Sequence, residues 1–317
     1  MPDIDYQIVQ LASMGAAMDA ALAKRFRVLY LDGHDDVAGA LREAPRATVA
    51  VTSVRKGLKR EMIDALPGLR AVCSWGVGYE TLDLAYARQR GIVASNTPEV
   101  LDDCVADLAW ALLLTVARRT HVGDRYVKTG QWRSIGAFPL STRVWGRRLG
   151  IVGMGRIGRA IAERGRGFGM DIRYHNRRPR TDTSHTFEPS LKALAEWSDF
   201  LVLACPGGAQ THHLIDAPIL RALGPAGILV NIARGSVVDE AALVQALERG
   251  ELGGAGLDVL EHEPAVPEPL RSMDQVALMP HVGSATHETR ADMSRLVVDN
   301  AIAFLETGRL LTPIEDA

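Results

Sequence analysis

The sequence predicts an α/β protein built on parallel sheets and divided into two domains, and three observations carry the prediction. Short apolar runs alternate with helical patterns almost from end to end, as parallel strands joined by covering helices require. A glycine-rich turn, Gly150-Ile151-Val152-Gly153-Met154-Gly155-Arg156-Ile157-Gly158, stands between an apolar strand and a helix. At 317 residues the chain has length for two domains.

In chain order, strands are expected at 7–11, 28–31, 48–52 and 69–73, with helices at 16–26 and 59–66 between them. A helix over 82–90 stops at Gly91, and the chain returns as a strand at 92–94, completing a first α/β domain. Apolar positions from 103 to 119 recur at helical spacing, so a long helix is expected to connect the domains. Strand 149–152, helix 157–168 and strand 171–176 then form a βαβ unit. Strands 200–204, 227–232, 254–259 and 276–279 follow, with helices 191–197, 218–223 and 240–248 between them. A last helix, 287–305, is available to return to the first domain.

Composition excludes several classes. Apolar residues make up 47% and charged residues 23%, ordinary for a globular protein, and 36 basic against 38 acidic side chains leave a net charge of −2. No basic face for nucleic acid is expected from that balance. The start, Met1-Pro2-Asp3-Ile4-Asp5, carries no basic and apolar leader, and the apolar run at 108–117 is too short to span a bilayer. Cys73, Cys104 and Cys205 lack metal or CxxC spacing and read as reduced thiols of a cytoplasmic protein. His34 and the pair His212-His213 have no neighbouring ligand cluster in the sequence, so no metal is expected.

The glycine turn has the spacing of a dinucleotide site. Gly153 suits the tight turn, Gly155 would let the backbone approach a pyrophosphate, and Gly158 would let helix and strand pack closely. The helix would aim free N–H groups, from Met154 through Ile157, at the phosphates. At the end of the next strand, where a carboxylate would accept the ribose hydroxyls of NAD, stands Asn176, followed by Arg177 and Arg178 with Arg180 close by. A carboxylate would repel a 2′-phosphate, whereas an amide tolerates one and a guanidinium binds it, so NADPH is expected over NADH. On residues alone the same arginines also suit a solvated loop.

The chemistry clusters at the carboxyl ends of the later strands, where open α/β sheets bind ligands. Arg234 follows the strand ending in Asn231, and a guanidinium there can grip a carboxylate, although a lone arginine at a strand end is more often structural. Leu257-Asp258-Val259-Leu260-Glu261-His262-Glu263-Pro264 and Met279-Pro280-His281-Val282-Gly283-Ser284-Ala285-Thr286 end the next two strands. A histidine held by a carboxylate can protonate a developing alkoxide.

These segments, with Ser74-Trp75-Gly76-Val77-Gly78-Tyr79-Glu80, Asn96-Thr97-Pro98 and Ala106-Asp107-Leu108-Ala109-Trp110-Ala111-Leu112-Leu113, closely resemble the D-isomer-specific 2-hydroxyacid dehydrogenases, most of all the NADPH-preferring glyoxylate/hydroxypyruvate reductases. The resemblance implies two Rossmann/flavodoxin-like parallel-sheet domains separated by an active-site cleft. Residues 1–98 and 287–317 would bind substrate, and 99–286 the dinucleotide. It implies that Arg234 binds the substrate carboxylate and carbonyl, that Glu263 holds His281, and that His281 is the general acid. The Val77 and Gly78 amides would complete the carboxylate site, Asp258 would contact the nicotinamide carboxamide, and Pro206 and Gly283 would line the dinucleotide, with NADH or NAD accepted more weakly. It further implies a homodimer in which Gln131-Trp132 reaches the partner's site. A dehydrogenase for a bulkier 2-oxo acid, and a nucleotide-sensing interaction protein or corepressor, are the alternatives on the same fold.

Overall fold

The computed structural model describes residues 6–31, 33 and 36–315, so the expectations for His34 and for residues 1–5 lie outside it. The chain divides into two compact units, Met1–Leu101 with Thr286–Ala317, and Asp102–Ala285.

In the first unit, strands β1 (Ile8–Gln10), β2 (Val28–Tyr30), β3 (Val49–Ser53), β4 (Ala71–Trp75) and β5 (Val93–Ser95) pair in the order β2-β1-β3-β4-β5, every pair parallel. Alternation along the strands supplies both faces. Val9, Ala50 and Val72 belong to one apolar layer, with Leu41, Ile63 and Ala87 from helices α2 (Val37–Leu41), α3 (Arg60–Asp64) and α4 (Leu84–Gln89). Ile8, Val49, Val51, Ala71 and Cys73 belong to the opposite layer, with Met18 and Leu22 of α1 (Ala16–Ala23) and Val297, Val298 and Ala301 of the terminal helix, His287–Thr307. That shared core is why the last helix belongs to the first unit.

The second unit begins with α5 (Asp102–Arg118) and α6 (Thr120–Lys128), followed by β6 (Arg148–Val152), α7 (Arg156–Gly167), β7 (Asp171–His175), β8 (Thr186–Phe187), α8 (Leu191–Trp197) and β9 (Phe200–Leu203). It continues through α9 (Ala217–Leu223), β10 (Ile228–Asn231), α10 (Glu240–Glu248), β11 (Gly254–Leu257), α11 (Glu268–Ser272) and β12 (Val276–Leu278). The His287–Thr307 helix is therefore α12. The seven strands run β12-β11-β10-β9-β6-β7-β8, all parallel. Chain direction across the sheet reverses between β6 and β9, which opens a crevice at their carboxyl ends.

Helix α5 differs from its expected role as a connector. Its buried stripe, including Val105, Ala109, Leu112, Leu113 and Val116, lies on the second sheet, and two glycines of β11 let it come close. A Cβ at Gly256 would stand 2.9 Å from the Leu112 Cβ, and one at Gly254 2.7 Å from a Val116 methyl. Trp110 anchors the same helix, stacked on Phe168 at 4.4 Å with its indole N–H donating to the Ile161 carbonyl. The units divide at 101/102 and 285/286 rather than at 98/99 and 286/287, because each division falls at the start of a helix. α6 was not expected from the sequence: Arg119 takes a left-handed backbone, φ 53°, and restarts a helix where helical spacing had run out.

Candidate active site

Strand β6 runs into the glycine turn, and the three glycines do different work. Gly153, at φ 100°, lies so close to the end of β9 that a Cβ would sit 2.5 Å from the Cys205 backbone nitrogen. A Cβ at Gly158 would collide with the Gly153 carbonyl oxygen at 2.1 Å, so the first turn of α7 rests directly on the loop. Gly155 has no such need: its φ is −81°, and a Cβ there would meet no protein atom within 4 Å. The open space lies at the N-terminus of α7, where the amides of Arg156, Ile157 and Gly158 have no acceptor within the helix. This cradle suits a pyrophosphate. Arg156 itself pairs with Asp102 at 3.4 Å.

Asn176, beyond β7, has a role not read from the sequence: its Oδ1 accepts the Met154 N–H at 2.8 Å and ties the glycine turn to the β7 tip. Arg177 donates through Nη1 to Gln210 Oε1, and Arg178 is exposed. Arg180 is instead committed to Asp182, which also takes Arg159 and is held down to about 2, chiefly by its hydrogen bond from Arg180. Across the crevice, burial pushes the Cys205 thiol up to about 11, so it stays protonated at neutral pH. Pro206 accepts from the Thr211 hydroxyl, which braces the loop, and Gly207 leaves room for the stem of Arg234, whose Cγ would lie 2.6 Å from a Cβ at 207.

Three adjacent strand tips carry the other residues. Asn231, the last residue of β10, shapes the Arg234 turn by accepting from the Ala233 N–H and donating to the Arg234 carbonyl. Gly235 presses this turn on the segment after β11, since a Cβ there would meet the Leu260 carbonyl at 1.9 Å. Asp258, 2% exposed, holds the segment after β12: its carboxylate accepts from the Val282 N–H at 2.7 Å and the Gly283 N–H at 2.9 Å, and its carbonyl accepts from the His281 N–H at 2.8 Å. Burial raises the Asp258 carboxyl, partly offset by those two amides and by His281.

These bonds hold His281 at φ 56°, an uncommon conformation for a side-chain-bearing residue. Its Nδ1 lies 2.8 Å from Glu263 Oε2, while Glu263 Oε1 accepts from the Leu260 N–H. With Nδ1 engaged by the carboxylate, Nε2 is the nitrogen left to meet a substrate.

The fold thus brings Arg234, Asp258, Glu263, His281 and Gly283 to one end of the second sheet, and the glycine turn, Asn176, Arg177 and Pro206 to the tips of β6, β7 and β9. Val77 and Gly78 stand in the first unit, in the loop after β4. Asn96 pins this loop by donating to the Val77 carbonyl at 2.8 Å, and Gly76 and Thr97 exchange bonds beside it. Among the described residues the Val77 and Gly78 amides donate to no protein acceptor.

Sequence reasoning missed one cluster. Glu261 lies 2.7 Å from His213 Nε2, and His212 stacks on His213, so a third ligand-type group does stand beside the histidine pair. The bond to Glu261 raises the His213 pKa. No local signal announces it, because the partners are 48 residues apart.

A family model described as "D-isomer specific 2-hydroxyacid dehydrogenase, NAD binding domain" matches residues 110–283. The chain is 44% identical to a hydroxyphenylpyruvate reductase of Plectranthus scutellarioides and 42% identical to glyoxylate/hydroxypyruvate reductase A of Arabidopsis thaliana, in both cases over 97% of this chain and 98% of the relative. The crystal structure of an NADPH-dependent glyoxylate/hydroxypyruvate reductase from Sinorhizobium meliloti, in complex with NADP and malonate, superposes with a TM-score of 0.90 at 43% identity, covering 97% of this chain and 96% of that one.

Proposed function

The chain belongs to the D-isomer-specific 2-hydroxyacid dehydrogenase family, and from that premise we propose that it reduces a small 2-oxo acid, glyoxylate or hydroxypyruvate, with NADPH. The observation that carries the reading is the His281–Glu263 pair, fixed by Asp258 one strand from Arg234 in the sheet that holds the glycine turn.

When bound, the nicotinamide supplies the hydride for the substrate carbonyl carbon. The chain's own residues do the rest. Arg234 binds the substrate carboxylate and stabilises the negative charge that develops on the carbonyl oxygen. His281 delivers a proton from Nε2 to that oxygen, and Glu263 stabilises the imidazolium through Nδ1. The amides of Val77 and Gly78 are proposed as further donors to the carboxylate, with the first unit proposed for substrate and the second for the dinucleotide. Asp258 and Gly283 position His281, and they would also hold the nicotinamide end of the cofactor. The product is a D-2-hydroxy acid, or glycolate from glyoxylate.

Preference for the phosphorylated cofactor rests on Asn176 in place of an acid and on Arg177 and Arg178 beside it. A second reading, a bulkier 2-oxo acid as substrate, is favoured by the 44% identity to a hydroxyphenylpyruvate reductase. We further propose a homodimer, because the 131–145 segment exposes Trp132, Ile135, Leu140 and Trp145, an apolar surface that a second copy would cover. Three free cysteines, with Cys73 pushed up to about 12 by burial, suit the reducing cytoplasm.

A steady-state panel tests the function: NADPH and NADH, each with glyoxylate, hydroxypyruvate, pyruvate and hydroxyphenylpyruvate. The expected result is the highest kcat/KM with NADPH and one of the two small acids. A hydroxyphenylpyruvate optimum would install the second reading, a clear NADH optimum would reject the role of Arg177 and Arg178, and no turnover at all would favour a nucleotide-sensing protein.

A further inference from the structure

We infer that Gln210 is a cofactor-specificity residue: it holds Arg177 in place to receive the 2′-phosphate of NADP while leaving the guanidinium charge intact. The inference rests on the NADPH reading above. Arg177 stands beyond β7 and Gln210 beyond β9, and these strands flank β6 on its two sides. The Arg177 Nη1 to Gln210 Oε1 bond of 2.5 Å therefore passes across the tip of β6, where the glycine turn lies, and borders the crevice.

Gln210 offers a firm anchor. The Thr211 hydroxyl donates to the Pro206 and Gly208 carbonyls, and the Thr211 N–H also donates to Gly208, so the turn bearing Gln210 is fixed from within. His213, tied to Glu261 and donating its N–H to the Ser236 carbonyl, closes the turn on the other side.

The chemistry of the acceptor decides its effect. A free arginine side chain samples many rotamers, and ordering it on a phosphate costs conformational entropy. An amide oxygen orders it beforehand with one hydrogen bond and carries no charge. A carboxylate at 210 would order it equally well, but it would neutralise the guanidinium and repel the incoming phosphate. Arg180 shows the contrast within the same loop, since Asp182 already pairs its guanidinium bidentately.

The test compares adenosine 2′,5′-bisphosphate with 5′-AMP by calorimetry on the full chain, because the ratio of the two affinities reads the 2′-phosphate alone. Proteins are the wild type, Gln210→Met, Gln210→Glu, Arg177→Ala and the two double variants. The wild type is expected to favour the bisphosphate. Gln210→Met should lower the ratio about three- to tenfold, with no further loss in the Arg177→Ala background, and Gln210→Glu tenfold or more, with only the smaller direct repulsion of the phosphate remaining in that background. The NADPH/NADH ratio of kcat/KM should move in step. A Gln210 variant that weakens both ligands equally, or acts undiminished without Arg177, would overturn the inference while leaving the NADPH reading intact. A wild type indifferent to the 2′-phosphate, or an Arg177→Ala variant that keeps the preference, would overturn the inference together with the proposed role of Arg177.

Discussion

His281, the proposed general acid, illustrates how a side chain is placed by residues that need not touch substrate. Its left-handed backbone is held by one carbonyl and one carboxylate, both from Asp258, and its ring by Glu263. His281→Asn should lower turnover roughly a hundredfold or more while the dinucleotide dissociation constant stays within about twofold, read by kcat and by calorimetry. Asp258→Asn offers one acceptor where two backbone N–H groups need one each, so kcat should fall about tenfold. Its stability effect has a definite sign. Burial raises the carboxyl in the folded state, so the fold binds its proton more tightly than the unfolded chain does, and the contribution of Asp258 is most favourable in acid. The wild type should therefore lose stability relative to Asp258→Asn as pH rises from the ordinary carboxylate value through the raised one, measured by urea unfolding at a series of pH values. Opposite slopes would show that the hydrogen bonds outweigh desolvation.

At the scale of elements, the turn between β6 and α7 was legible because glycine spacing reports backbone contacts that any side chain would block. The structure separates these contacts from the space left for a ligand. Gly153→Ala, at φ 100° and with the Cys205 backbone 2.5 Å from the new Cβ, should cost about 2 kcal/mol or more in thermal unfolding. Gly155→Ala meets no protein atom and should cost about 1 kcal/mol or less as a change of helix N-cap, yet weaken the dinucleotide at least tenfold. Equal effects of the two substitutions on stability would reject this division of labour. The sequence also disclosed the later strands, whose apolar runs are continuous because helices cover both faces. It did not disclose α6, α2, β8 or α11. The first follows a left-handed arginine that no residue preference announces, and the other three are too short to show a period.

At the scale of the molecule, the proposed dimer makes a direct demand: light scattering should give twice the 34.3 kDa chain mass. Leu140, 98% exposed, should yield monomers as Leu140→Asp, and a monomeric wild type would reject the proposal. The sequence by itself determined the parallel α/β class and the dinucleotide turn, because each depends on local periodicity and spacing, and the family resemblance singled out the proposed trio Arg234, Glu263 and His281 among the residues just beyond the later strands. Only the tertiary structure decided which strands are neighbours, and with them that α5 covers the second sheet, that α12 completes the core of the first, that Asp258 grips the His281 segment, and that Gln210 reaches Arg177 across β6. These contacts join residues 23 or more positions apart, and a local pattern holds no information about a partner that folding alone brings near.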